Sequence, residues 1–200
     1  MRREKIEFLI EGFLAFGKLI VIAGECYEDI SRFAYRIASI VLKKGIKVFY
    51  LDGHNSISYI KKEIEHLGLY KELGENFFLF SNVIKVVPLN EYNSASSIIP
   101  SVKERLKRYK SYTEPEDFLY LLSIINWDIS INPDNLAWNE LKEFLRGMDK
   151  SLVIIDTLWN FLGNYDPNSI TDMKKVMREL KEIRNISHAV LVFEIKGRLV

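Results

Sequence analysis

The chain of 200 residues is 48% apolar and 28% charged, enough for one well-formed core and too short to argue for two. Its 28 basic and 27 acidic residues leave a net charge of +1. That balance excludes a globally basic binder of nucleic acid or anionic membrane and confines any such surface to a local patch. A single cysteine, Cys26, excludes an internal disulfide framework and suits a reducing cytoplasm.

In chain order, the opening "MRREKIEFLIEGFLAFGKLIVIAG" has basic residues ahead of an apolar stretch, as a signal peptide would. Glu11 and Lys18 interrupt it and no small-residue cleavage pattern follows, so the expectation is a soluble cytoplasmic chain with no membrane partner. "KLIVIA" then reads as a buried strand. Ile30, Phe33, Ala34, Ile37, Ala38 and Val41 recur at helical spacing, with Gly45 placed for a left-handed cap. "IKVFYLD" is a second strand, Ile57, Ile60, Ile64 and Leu67 mark a second helix closed by Gly68, and "FFLFSNVIKVVPL" supplies one or two more strands.

From about 90 to 133 the pattern gives way to Ser, Asn, Tyr and charge, which reads as an insertion or lid on a single domain spanning 1–200. Order returns with Leu136, Leu141 and Leu145 on a helix, then the apolar strand "SLVIID". Ser169 and Asp172 form a relaxed capping box ahead of a helix marked by Ile170, Met173, Val176, Met177, Leu180 and Ile183. "HAVLVFEI" is the last strand. Strands alternating with helices predict an α/β fold, a mostly parallel sheet with helices on both faces. The lack of glutamine and the weight of Lys, Glu and Ile are compatible with a thermophilic source and equally with codon composition.

In such a sheet ligands bind at the carboxyl ends of the strands, where "GECYEDIS", residues 24–31, joins the first strand to its helix. A phosphate loop reads G-x-x-x-x-G-K-[ST], because glycines admit backbone N–H groups, the lysine neutralises phosphate and the hydroxyl holds magnesium. Gly24 and Ser31 keep their places, while Asp29 stands for the second glycine and Ile30 for the lysine. Each lost or added charge at about 4 Å is worth roughly 4 kcal/mol before desolvation and screening. Glu28 and Asp29 read as a helix cap and solvent-facing charge. Asp156 admits two roles, a magnesium ligand or an aspartate bonding the next turn, and the second is favoured without a phosphate anchor. His54 is a loop histidine with no evident partner, and the acids around Cys26 argue against a reactive thiolate.

"GKLIVIAGE", "GIKVFYLDG" and "SLVIIDTLWNFLG" together resemble, in order and spacing, the core of RecA-like ATPases of the RadA and KaiC type, over most of residues 12–198 apart from the middle insertion. The resemblance implies that Asp156 holds the Walker B place, that His54 stands where the family has its catalytic glutamate, and that "EIKGR" lies in the sensor region. It implies a P-loop NTPase fold with a degenerate Walker A motif, a remnant site at Gly24, Asp29, Ile30, Ser31, His54 and Asp156, no catalytic residue and no resident cofactor. It further implies a regulatory or assembly partner of a RecA-like homologue, or self-association, in recombination, repair or KaiC-like signalling. One alternative is a divergent ATPase, with ATP and magnesium, in which Lys18 or another lysine replaces the missing charge. A second is a single-stranded nucleic-acid module using Lys103, Arg105, Lys107, Arg108 and Lys110 with Tyr109 and Tyr112. Trp127, Trp138 and Trp159 read as core or interface anchors, and His66 and His188 offer no metal spacing.

Overall fold

The computed structural model describes residues 7–72, 76–81, 136–146, 150–162 and 165–195. Three runs of alternating side chains build its centre: Lys47–Asp52 (β4), Ser151–Asp156 (β6) and His188–Ile195 (β7). Successive side chains on a strand point to opposite faces. Accordingly Val48, Tyr50, Leu152, Ile154, Ala189, Leu191 and Phe193 enter one apolar cluster, and Phe49, Leu51, Val153, Ile155, Val190 and Val192 enter the other. Strands apolar on both faces need helices on both, and they have them. Tyr27–Leu42 (α1) and Ile57–His66 (α2) cover the first cluster; Leu136–Leu145 (α3) and Ile170–Ser187 (α4) cover the second.

Lys18–Gly24 (β3) and Phe77–Ser81 (β5) complete a parallel sheet of order β3-β7-β6-β4-β5. Because the chain leaves β3 at one edge and re-enters the sheet at β4, with β7 and β6 lying between, the carboxyl ends of β3, β7, β6 and β4 open on a common crevice. The expected α/β class is present, and the helices fall where the apolar periodicity placed them. The insertion expected at 90–133 lies outside the described residues, as do the basic run at 103–110, Trp127 and "KGR".

Two expectations need correction. "KLIVIA" is an edge strand rather than a buried one: among the described residues β3 pairs only with β7, and Val21 keeps 45% of its surface exposed. An apolar run gives no sign of how many neighbours the strand has. The opening stretch also contains a small antiparallel hairpin, Phe8–Ile10 (β1) with Leu14–Ala15 (β2), whose Leu9 and Leu14 are fully buried in the first cluster.

Helix ends follow local chemistry. Gly45 has φ +71°, the left-handed conformation expected of it. Ser169 accepts a hydrogen bond from the Asp172 N–H at 3.3 Å, so half of the capping box forms, while the Asp172 carboxylate instead accepts from the Asp166 N–H. Ser169→Ala should therefore cost about 1 kcal/mol in denaturant unfolding, with an unchanged slope. No helix among the described residues is long and apolar enough to cross a membrane.

Candidate functional site

Gly24 ends β3 and α1 begins at Tyr27, so only Glu25 and Cys26 connect them. Three of the four residues that a phosphate loop would wrap around its ligand are thus on or beside the first helical turn. The expectation of a helix starting near Ile30 moves back by about one turn, because the Cys26 carbonyl accepts the Ile30 N–H at 3.1 Å. Ile30 is only 6% exposed and belongs to the first core cluster. Its side chain lies over Gly24: a Cβ at that glycine would stand 2.7 Å from Ile30 Cγ1. The backbone approach that a glycine normally grants to phosphate is granted here to an isoleucine.

The neighbouring acids do not cap the helix. Cys26 holds the N-cap position without a side-chain cap bond. Glu28 meets Arg32 at 2.6 Å and Asp29 meets it at 3.8 Å, both on the exposed surface. The i,i+4 and i,i+3 spacing brings them to that guanidinium instead. Asp29 is thereby removed from the other predicted residues, while its reading as solvent-facing charge holds.

Beneath the loop the remaining predicted residues converge. Ser31, fully buried, donates its hydroxyl proton to Asp156 Oδ2 at 2.7 Å. It lies 3.2 Å from His54 Nε2 and accepts from Asn55 Nδ2 at 3.0 Å. A hydroxyl has one proton, and Asp156 takes it, so His54 Nε2 is assigned as the donor of its bond. His54 is therefore not the partnerless histidine its loop position suggested; its ring also packs at 4.6 Å, tilted, on Tyr27. Burial holds its pKa below the ordinary value despite the pull of Asp52, which leaves the imidazole neutral.

Four residues that the motif did not identify complete the network. Tyr50 donates to Asp156 Oδ2 at 2.6 Å, and Tyr35 donates to Asp52 Oδ2 at 3.0 Å. Their rings stack at 4.4 Å. Asn55 bonds Asp52 through its backbone N–H at 3.0 Å and its side-chain amide at 3.0 and 3.1 Å, a turn that pins the loop after β4. Asp52 and Asp156 are register neighbours at the carboxyl ends of adjacent strands, both fully buried. Burial raises both pKa values; Asp156, further opposed by the Asp52 charge, is pushed up to about 7. Two carboxylates so placed resist carrying two charges at neutral pH. The Asp156 side chain thus bonds Ser31 and Tyr50, not the next turn. That next turn is held instead by buried Glu194 of β7, whose Oε2 accepts the Trp159 N–H at 2.8 Å. The Asp52 and Tyr50 signals lay in "FYLDGHN", where a polar residue inside an apolar strand marks a buried hydrogen bond; nothing in the sequence tied Tyr35 to them.

Magnesium nucleotide, which the RecA resemblance admits, does not fit these residues. The loop that would cradle phosphate is two residues long, the lysine place is a core isoleucine, and the Ser31 hydroxyl is spent on Asp156. Among the described residues no group of three His, Cys, Asp or Glu side chains is placed to hold a metal ion. Asp156 Oδ1 is a buried acceptor without a hydrogen-bond partner there. Of the predicted tryptophans, Trp138 is buried in the second cluster and Trp159 is 37% exposed.

A parallel sheet covered on both faces, with its first strand-to-helix junction at the carboxyl end of β3, is a doubly wound α/β fold. The flagellar accessory protein FlaH from Methanocaldococcus jannaschii has a similar solved structure, with a TM-score of 0.50 and 14% sequence identity over 92% of this chain. The match spans 64% of the FlaH chain. At that identity the likeness is one of fold. No protein-family model and no curated protein sequence matches this chain.

Proposed function

We propose that this chain is a non-catalytic RecA-like protein, with a degenerate Walker A motif of RadA or KaiC descent, that acts through its surfaces as an assembly or regulatory partner in the cytoplasm. The observation that carries this reading is Ile30: the residue in the lysine place is packed into the core over Gly24. Any phosphate there would meet a hydrocarbon side chain in place of a cation and backbone donors. The direct Ser31–Asp156 bond supports it, since each occupies the group that the other would lend to magnesium. The similar flagellar protein is itself named an accessory protein, and an accessory role is what a nucleotide-free RecA-like core can supply.

Phosphate release from magnesium ATP by the purified chain should equal that of buffer. His54→Glu, which restores the carboxylate that would activate water, should leave it there, because a base is useless without a bound substrate. Turnover by the parent, or turnover gained on His54→Glu alone, would move the chain to the divergent ATPases.

A further inference from the structure

The outer edge of β3 pairs with nothing among the described residues. Its sequence, "KLIVIAG", has no proline and only one charge, at its first residue. Protected edges carry charges, prolines or bulges along their length to refuse another strand; this one carries none between Leu19 and Gly24. Large exposed apolar side chains gather on the same flank. Val21 is 45% exposed on the face covered by α4. On the other face Phe33 and Ile40, seven residues apart on α1, are 44% and 45% exposed, and Phe13 at the hairpin tip is 38% exposed. Phe13 and Phe33 lie 6.2 Å apart, and Phe33 sits edge-on to Phe193 of β7. Among the described residues, four of the six large exposed apolar side chains thus lie on β3, on the hairpin that precedes it and on the helix that follows it, a gathering that marks an interaction surface rather than scattered exposure.

We propose that the β3 edge is an isologous interface, at which two copies of this chain pair antiparallel through β3 and join their sheets into one. The strand is complementary to itself in that arrangement. Centred on Val21, the pairing sets Val21 against Val21, Ile20 against Ile22 and Leu19 against Ala23, so like faces meet and every facing pair between the ends is apolar. The half-exposed Val21 and the exposed Ala23 of each copy become covered. Charge agrees: Lys18 begins the strand and Glu25 follows its end, so the two-fold brings the basic end of one copy beside the acidic end of the other. A parallel pairing would set like charge against like. The surface is distinct from the crevice of Ser31 and Asp156, and the interface needs no nucleotide.

Sedimentation equilibrium of the full chain at about 100 µM should give a dimer whose mass does not change with magnesium ATP. Val21→Lys places two lysines opposite each other on the two-fold axis, and Val21→Glu places two glutamates there. Each should weaken the dimer at least about tenfold. Val21 is half exposed, so folding, checked by circular dichroism, should be retained. An equimolar mixture of the two variants should recover a dimer, because only the mixed pair brings opposite charges together. A monomeric parent, an open-ended polymer, a dimer indifferent to Val21→Lys, or a mixture that stays monomeric would each overturn the proposal.

Discussion

Replacing Ile30 by lysine is expected to cost about 3–5 kcal/mol, a large share of the stability of a domain this size. The isoleucine is 6% exposed, belongs to the first cluster and lies over Gly24. A lysine there must either leave that space empty or bring an ammonium group into it. The contrast is with a phosphate loop, in which the same lysine points into the ligand space at little cost. Denaturant unfolding of Ile30→Lys, alone and with Asp29→Gly, separates the two. A loss of several kcal/mol fits the core role. A loss under about 1 kcal/mol would mean that the lysine has an outlet toward the crevice and that the loop is less closed than its geometry says. Asp29→Gly should add about 1 kcal/mol of its own, because that residue lies in the first turn of α1 rather than in an open loop. The pair should not bind nucleotide, since neither change lengthens the two-residue connection between β3 and α1.

The second large effect is on pH. Burial raises Asp156 to about 7, with Asp52 raised beside it. An acid whose pKa is higher folded than unfolded holds more protons in the native state. Its contribution is therefore greatest in acid and is lost as pH rises from near 4, the unfolded value, through the folded value near 7. Three units correspond to about 4 kcal/mol at most, at 1.36 kcal/mol per unit. Stability measured from pH 5 to pH 8 should accordingly fall. That is the reverse of the common case, in which paired carboxylates make proteins less stable in acid. Asp156→Asn keeps an oxygen to accept from Ser31 and Tyr50 but cannot ionise, so it should flatten the profile and exceed the parent in stability at pH 8. A parent profile that rises over this range would show both carboxylates to be comfortably charged.

Those two effects also mark where the sequence was legible. β4, β6 and β7 and the four α-helices among the described residues could be read because the signal for each, a period of two or of three to four, is contained in the element itself. The position of β3 at an edge could not, since a strand's neighbours are set by crossovers elsewhere in the chain. The hairpin of five strand residues is too short to carry a period. Ser31, His54 and Asp156 were brought together by resemblance alone, and they do meet, across 125 residues in the case of Ser31 and Asp156. Asp29 does not join them, because helical spacing gives it to Arg32. The partners that close the network, Tyr35, Tyr50 and Asn55, are ordinary helix, strand and loop residues in sequence. Their role exists only once β4 and β6 are in register and α1 lies across them. The same holds for Ile30, which in sequence is equally a lost lysine and the first residue of an apolar stripe; packing makes it the second.

On the function proposed above, the crevice at the carboxyl end of β3 is closed to nucleotide by the chain's own side chains. Calorimetric titration of the full chain with ATP in excess magnesium tests it most directly. The expected result is no heat of binding up to millimolar nucleotide, with Ile30 in the lysine place and Ser31 bonded to Asp156. A dissociation constant in the micromolar range would contradict it, because about 8 kcal/mol of binding free energy would then have to come from a site whose cation, cradle and hydroxyl are otherwise engaged.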